Sequence, residues 1–169
     1  MKPGLLALDH VALPIYDAAA SLQFYGEVLG LPLLSSLSGD DWGGRAWLMM
    51  TFGLEGGRQL ALCALRGAQR PPPGELPTET HHIAFAVASD ALLEDWKKRL
   101  MQLGLHVTEE DHGTQRSLYF EEPNGYVLEL TTAPDPASVR DEQARAIVAE
   151  WIAQGSRESG VVPTRPTSE

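Results

Sequence analysis

The chain has 169 residues, with 13 Lys and Arg against 23 Asp and Glu, a formal charge of −10. That acidic balance, with a pI near 4.9, argues against nucleic acid and anionic membrane surfaces, which attract basic patches. No apolar run approaches the roughly 20 residues of a membrane span. Hydrophobic residues make up 43%, enough for one sizeable core or two small modules packed as one domain. The single cysteine, Cys63, excludes an internal disulfide and fits a reducing cytoplasm. Met1-Lys2-Pro3-Gly4 leads into a strand pattern without signal-peptide organisation, so a cytoplasmic location is expected.

Residues 5–15 read as a strand. Asp17 can cap a helix running to Leu29, with Leu22, Tyr25 and Leu29 on one face and Gly30 as its stop. A strand over 31–36, a Gly/Asp turn over 38–44 and paired strands over 47–52 and 59–65 follow. Residues 67–79, with Pro71-Pro72-Pro73 and Pro77, make a linker. The order then repeats: a strand over 82–87, then a helix from Ser89 or Asp90 to Leu103 bearing Leu92, Leu93, Trp96, Leu100 and Leu103. Strands over 106–108, 116–121 and 126–132 come next, the last two joined by the turn Pro123-Asn124-Gly125. A third helix over 135–154 carries Val139, Ile147, Val148, Trp151 and Ile152, and a polar tail over 155–169 is expected to fray.

The chain is therefore two copies of one unit, about 5–66 and 80–133, within a domain over 1–133. His82 stands 72 positions after His10, and Leu103-Gly104-Leu105 stands 74 positions after Leu29-Gly30-Leu31. Phe120 and Gly125 before Leu128-Glu129-Leu130 match Phe52 and Gly57 before Leu60-Ala61-Leu62 at an offset of 68. Strand parity then sorts the side chains into two faces. Val11, Leu13, Ile83, Phe85, Leu118, Phe120, Leu128 and Leu130 take the face that helices would cover. His10, His82 and Glu129 take the other, among small residues that leave room for a ligand. Two imidazoles and a carboxylate suit Fe(II) or Mn(II), with Zn(II) or Ni(II) also possible, and leave positions open for substrate. Parity adds Trp47, Met49, Thr51, Ala61, Cys63 and Ser117 as substrate-binding candidates. Arg116 joins them as a candidate anion contact, with Arg45 and Arg58. Trp42 and Trp47 could form a platform for a flat ligand. His81, His106, Trp96 and Trp151 read as structural, and Cys63 as a small apolar residue.

Asp9-His10-Val11-Ala12-Leu13, Phe24-Tyr25 through Val28-Leu29-Gly30-Leu31, His82-Ile83-Ala84-Phe85 and 119–130 together resemble the vicinal oxygen chelate superfamily. That group includes glyoxalase I, extradiol dioxygenases, fosfomycin-resistance enzymes and bleomycin-binding proteins. The resemblance covers about 5–133 and implies an α+β fold: two βαβββ modules forming a curved mixed-sheet cup around a metal held by His10, His82 and Glu129. Ala61 stands where glyoxalase I supplies a fourth ligand, which disfavours that activity. Ala12 stands where fosfomycin enzymes often have a threonine. Extradiol dioxygenases are similar in the three ligands and in a tyrosine ten residues before the Glu, here Tyr119.

The expectation is a metal-dependent enzyme on a small molecule with vicinal oxygens, most like an extradiol dioxygenase. Tyr119 would hold or protonate a substrate oxygen, and His112 would act as a mobile acid or base. A thiol transferase and a metal-free binder of flat compounds are the alternatives. The cup closes either within one chain or between modules of a homodimer.

Overall fold

The computed structural model describes residues 8–77, 80–113, 115–132 and 141–159. The chain divides into two compact units, Met1–Ala133 and Pro134–Glu169. In the first, β1 (His10–Ile15) leads to α1 (Ala18–Gln23), which runs on into a π-helical turn over Phe24–Val28. β2 (Leu33–Gly39), β3 (Trp47–Gly53) and β4 (Gln59–Leu65) complete the first module. The second repeats the order as β5 (His82–Val87), α2 (Asp90–Gln102), β6 (Thr108–Asp111), β7 (Arg116–Glu121) and β8 (Val127–Thr132).

The two sheets have matching strand orders, β1-β4-β3-β2 and β5-β8-β7-β6. In each, the first and last strands of the module pair in parallel and the other pairings are antiparallel. The repeat read from sequence is thus a repeat of topology, and the fold is two mixed four-stranded sheets with few helices. β1 and β5 are both edge strands.

The helices begin where the caps require. The Asp17 side chain accepts from Ala20 N at 2.9 Å, and the Ser89 hydroxyl accepts from Leu92 N at 3.3 Å. The first helix departs from a plain amphipathic one. Leu29 N donates to Phe24 O at 2.9 Å, five residues back. The wide turn buries Phe24 and Tyr25 together, whereas Leu22 of the expected face is 44% exposed. On α2 the buried stripe is Leu93, Trp96 and Leu100, while Leu92 and Leu103 lie outside it. The sixth strand begins at Thr108, so His106 lies outside it.

One core joins the modules. Ile15, Phe24, Tyr25, Met50, Phe52, Leu60 and Leu62 pack with Leu93, Leu100, Leu118, Phe120, Leu128 and Leu130. Leu118, Phe120, Leu128 and Leu130 are positions that parity assigned to the helix-covered face, and Val11, Leu13, Ile83 and Phe85 of that face pack partly buried against this core. Burying each removes apolar surface from water, at about 1.5–3 kcal/mol for a large side chain. A polar clamp crosses the same seam. Asn124 Oδ1 accepts from Tyr16 N at 2.7 Å and Asp17 N at 3.2 Å, and its amide donates to Ser21 Oγ at 2.8 Å. Buried Glu122 accepts from Asn124 N at 2.6 Å and from Tyr126 N at 3.1 Å. The turn read from Pro123-Asn124-Gly125 is therefore also an inter-module tie. The linker joins this corner through Arg70, which donates to Glu121 at 3.3 Å and to Gly125 O at 3.2 Å.

The second unit holds α3 (Asp141–Ser159). The expected start at Asp135-Pro136, together with Val139, lies outside the described residues. At its other end the helix continues through 155–159, where a frayed tail was expected, and 160–169 lie outside the described residues. No helix among the described residues is long and apolar enough to cross a membrane.

Candidate metal centre

The concave face of the second sheet is set by register. Ala84 on β5 lies beside Glu129 on β8, Glu129 beside Tyr119 on β7, and Tyr119 beside Thr108 on β6. His82 is two residues before Ala84, so its side chain reaches the same face, and its Nε2 stands 2.8 Å from Glu129 Oε2. Glu129 is buried, only 4% exposed. A carboxylate that far from water needs an imidazole or a cation beside it. The His82 ring meets Tyr119 edge-on, with centroids 5.6 Å apart. Burial first, and then the charge of Glu129, push the Tyr119 phenol above its ordinary range, so it stays a neutral donor at physiological pH.

His112 follows β6, and its Nε2 is 3.2 Å from the Tyr119 hydroxyl and 3.8 Å from Glu110 Oε2. Ser117 Oγ donates to Thr131 Oγ1 at 2.9 Å, which fixes the neighbouring row. In front of this array lies a cavity of about 460 Å³ lined by His82, His106, Thr108, Glu110, Tyr119, Phe120, Glu121 and Val127.

His10 is placed on the other sheet. Its Nδ1 is held by Asp9 at 2.7 Å, the support that orients a ligating imidazole while leaving Nε2 for a metal. It does not join His82 and Glu129 within one chain: among the described residues no three His, Cys, Asp or Glu side chains converge on one point. Two donors of the expected set thus meet, in chemistry that fits a divalent ion, and the third sits apart.

The remaining site candidates divide. Trp47, Met49, Thr51, Ala61 and Cys63 line up with Ala12 across β1, β4 and β3, on the face shared with His10. Trp42 packs edge-on against Trp47, with centroids 5.6 Å apart, a corner rather than a flat platform. Burial pushes the Cys63 thiol up, so it is a weak nucleophile. Arg116 is corrected. It shares parity with Leu118 and Phe120, and its guanidinium turns away from the cavity to Glu94 on α2, at 2.6 Å, and to Glu109. Lys97 meets the same Glu109 carboxylate at 2.5 Å. His106 is corrected the other way, since it lines the cavity. Glu110, Glu121 and Thr108 were not read from sequence. Starting the sixth strand at 108 would have given Thr108 and Glu110 by parity alone.

The model of the Glyoxalase/Bleomycin resistance protein/Dioxygenase superfamily matches residues 7–130. The chain belongs to that superfamily. It is 31% identical over 126 residues to "Glutathione transferase FosA" of Serratia marcescens, covering 75% of this chain and 80% of that protein. It is 28% identical over 130 residues to "Metallothiol transferase FosB" of Staphylococcus haemolyticus, covering 74% and 82%. A glyoxylase/bleomycin resistance protein/dioxygenase domain from Frankia sp. EAN1pec superposes with a TM-score of 0.63 at 24% identity, over 77% of this chain and 99% of that one. That likeness carries the fold alone.

Proposed function

We propose that this superfamily member is a divalent-metal-dependent thiol transferase that opens or conjugates a small oxygen-bearing electrophile. The observation that carries the reading is the buried Glu129 carboxylate 2.8 Å from His82, which itself lines a cavity together with the neutral phenol of Tyr119. The transferase names of the two relatives favour this chemistry over ring cleavage. His82 Nε2 and Glu129 would hold the ion, with His10 Nε2 as third donor. The ion, when bound, would act as a Lewis acid on a substrate oxygen. Tyr119 donates a hydrogen bond to that oxygen, and His112, 3.2 Å from the Tyr119 hydroxyl, passes a proton to or from it. The same His112–Tyr119 contact favours a second reading, the extradiol dioxygenase expected from sequence, since ring cleavage needs such an acid or base beside the metal.

The third donor comes from a second copy of the chain. His10, Ala12 and Pro14 on β1, and His82, Ala84 and Ala86 on β5, leave both ligand-bearing faces exposed at free sheet edges. A homodimer that sets β1 of one copy beside β5 of the other would cover both edges and bring His10 to His82 and Glu129. Metal content of tag-free protein purified without chelator tests this. Near-stoichiometric iron, manganese or zinc is expected, with none in His10→Ala or Glu129→Ala. Mixing these two variants restores part of the metal only if each site draws on two chains. No metal in wild-type protein after reconstitution would sink the enzyme reading.

A further inference from the structure

Among the described strand residues, the face of the first sheet that His10 shares carries no Asp, Glu, Lys or Arg. Ala12 and Ala61 lie in the row next to His10, Cys63 and Met49 in the row beyond, and Trp47 at the end, paired with Gly39. Two devices shape that end. A Cβ at Gly39 would stand 2.6 Å from Trp47 Nε1 and 3.0 Å from its Cε2, closer than real side chains come. The indole therefore lies against β2 only because residue 39 has no side chain. Trp42 is set by the turn between β2 and β3. Its N–H donates to Arg45 O at 2.8 Å, and Asp41 Oδ1 accepts from Gly44 N at 2.8 Å. Gly43 and Gly44 take φ of 61° and 81°, which glycine adopts without strain. The two indoles meet at 89° with centroids 5.6 Å apart, and Trp42 stays 51% exposed. A closed turn that leaves an indole half in water adds little to the core. It offers a third ring one ring face and one ring edge, the contacts that aromatic groups favour.

We infer that the Trp42–Trp47 corner binds a flat, uncharged aromatic group, the far end of an extended molecule whose oxygen end meets the metal centre. The oxygen end rests on the proposed function, whereas the aryl end stands on the corner itself. In the proposed dimer the His10 face of one copy looks onto the centre of the other, so the corner and the ligands belong to one combined site. Leu65, beside Trp47, lies six residues along β4 from Gln59, beside His10, about 20 Å of strand. A three-carbon electrophile is too short to meet both ends, and a chain ending in a ring is long enough. Gly39 is a positioning residue here: it touches no ligand and sets where the Trp47 indole lies.

The indole N–H resonances of Trp42 and Trp47, assigned with Trp42→Phe and Trp47→Phe, test the corner without metal. Metal-free protein is titrated with 2-naphthol and with its saturated counterpart, decahydro-2-naphthol. Both resonances should shift together and saturate while that of Trp151 stands still, with naphthol bound about fivefold more tightly than the saturated alcohol. The φ of Gly39 lies outside the left-handed region, so Gly39→Ala should fold, move the Trp47 resonance in the free protein and lose most of that preference. Gly74→Ala, with open space around residue 74, should change neither. Equal binding of the two alcohols, or a preference that Gly39→Ala leaves intact, overturns the aryl site. So does a dimer that Trp42→Ala dissociates while naphthol shifts neither indole, which would make the corner a contact between copies. Zn(II)-loaded protein then joins the two ends, with 6-phenylhexanohydroxamic acid and its 6-cyclohexyl counterpart as probes. The phenyl compound should shift both indoles and bind about fivefold more tightly than the cyclohexyl one. If the naphthol result holds and the hydroxamates show no such preference, the aryl site stands and its link to the metal centre falls.

Discussion

Tyr119 and Arg116 show how far a single side chain's role depends on which face of its strand it takes. Tyr119 shares the concave face with Glu129 and is kept neutral by burial and by that carboxylate. Tyr119→Phe should lower turnover by roughly 10²-fold while leaving metal content unchanged; unchanged turnover would make it only a wall of the cavity. Arg116, three positions earlier, sits on the helix face between Glu94 and Glu109. Arg116→Ala should lower the thermal midpoint and leave KM where it was, and a raised KM at full stability would return it to the cavity. Glu109 is held below the usual carboxylate range by its Lys97 hydrogen bond first and by Arg116 second, so the stability that Arg116 adds through it is present at neutral pH and lost in acid, and the gap between wild type and Arg116→Ala should narrow as pH falls. At the alkaline end Tyr126 matters. Burial, and then the nearby Tyr16, push its phenol up to about 12, and its hydroxyl donates to Pro14 O at 2.9 Å. A phenol whose folded-state value is raised contributes its full stability below its ordinary value of 10.0 and loses it as pH climbs through about 12. Urea midpoints across that window should fall for wild-type protein and fall less for Tyr126→Phe.

The element that ties the modules is the turn between β7 and β8. Asn124 answers two backbone N–H groups at the entrance to α1 and bridges Ser21 to Glu122. Removing it takes one of three donors from the buried Glu122 carboxylate and strands two backbone donors, each costing about 1–3 kcal/mol when left unmade. Asn124→Ala should therefore cost on the order of 3 kcal/mol in urea unfolding, the two modules still melting as one. A loss below about 1 kcal/mol would mean that water replaces the amide. Sequence showed the turn, because Pro, Asn and Gly mark one locally. It could not show the clamp, whose partners lie more than a hundred residues away. The same limit explains α1. A cap at Asp17 and a stop at Gly30 are local signals, whereas the π turn depends on seating Phe24 against Phe120 of the other module, with centroids 6.4 Å apart.

At the scale of the whole molecule, β1 and β5 each end a sheet, and the proposed centre spans two copies there. If His10 of one copy completes the centre of another, metal and dimerisation must be linked. Sedimentation velocity should find a dimer that chelator loosens and added Zn(II) tightens. A monomer that binds the ion with full affinity would show that one chain closes the centre by itself. The formal charge of −10 adds a general field that favours cations.

Sequence alone determined the doubled module, the two faces of β1, β3, β4, β5, β7 and β8 and the residue types proposed for the centre. These are periodic or local properties: alternation of two, a cap, a glycine stop, a spacing repeated after some seventy positions. Tertiary structure decided which of those residues meet. His82 and Glu129 meet because β5 pairs with β8 in one register; His10 stays apart because β1 pairs with β4 in a separate sheet. Arg116 lies on the helix face with Leu118 and Phe120, where Glu94 and Glu109 offer opposite charge, and Glu110 lies on the other because β6 runs on to Asp111 beyond the expected strand. Contacts of that kind are set by chain closure over long separations, which no local pattern encodes.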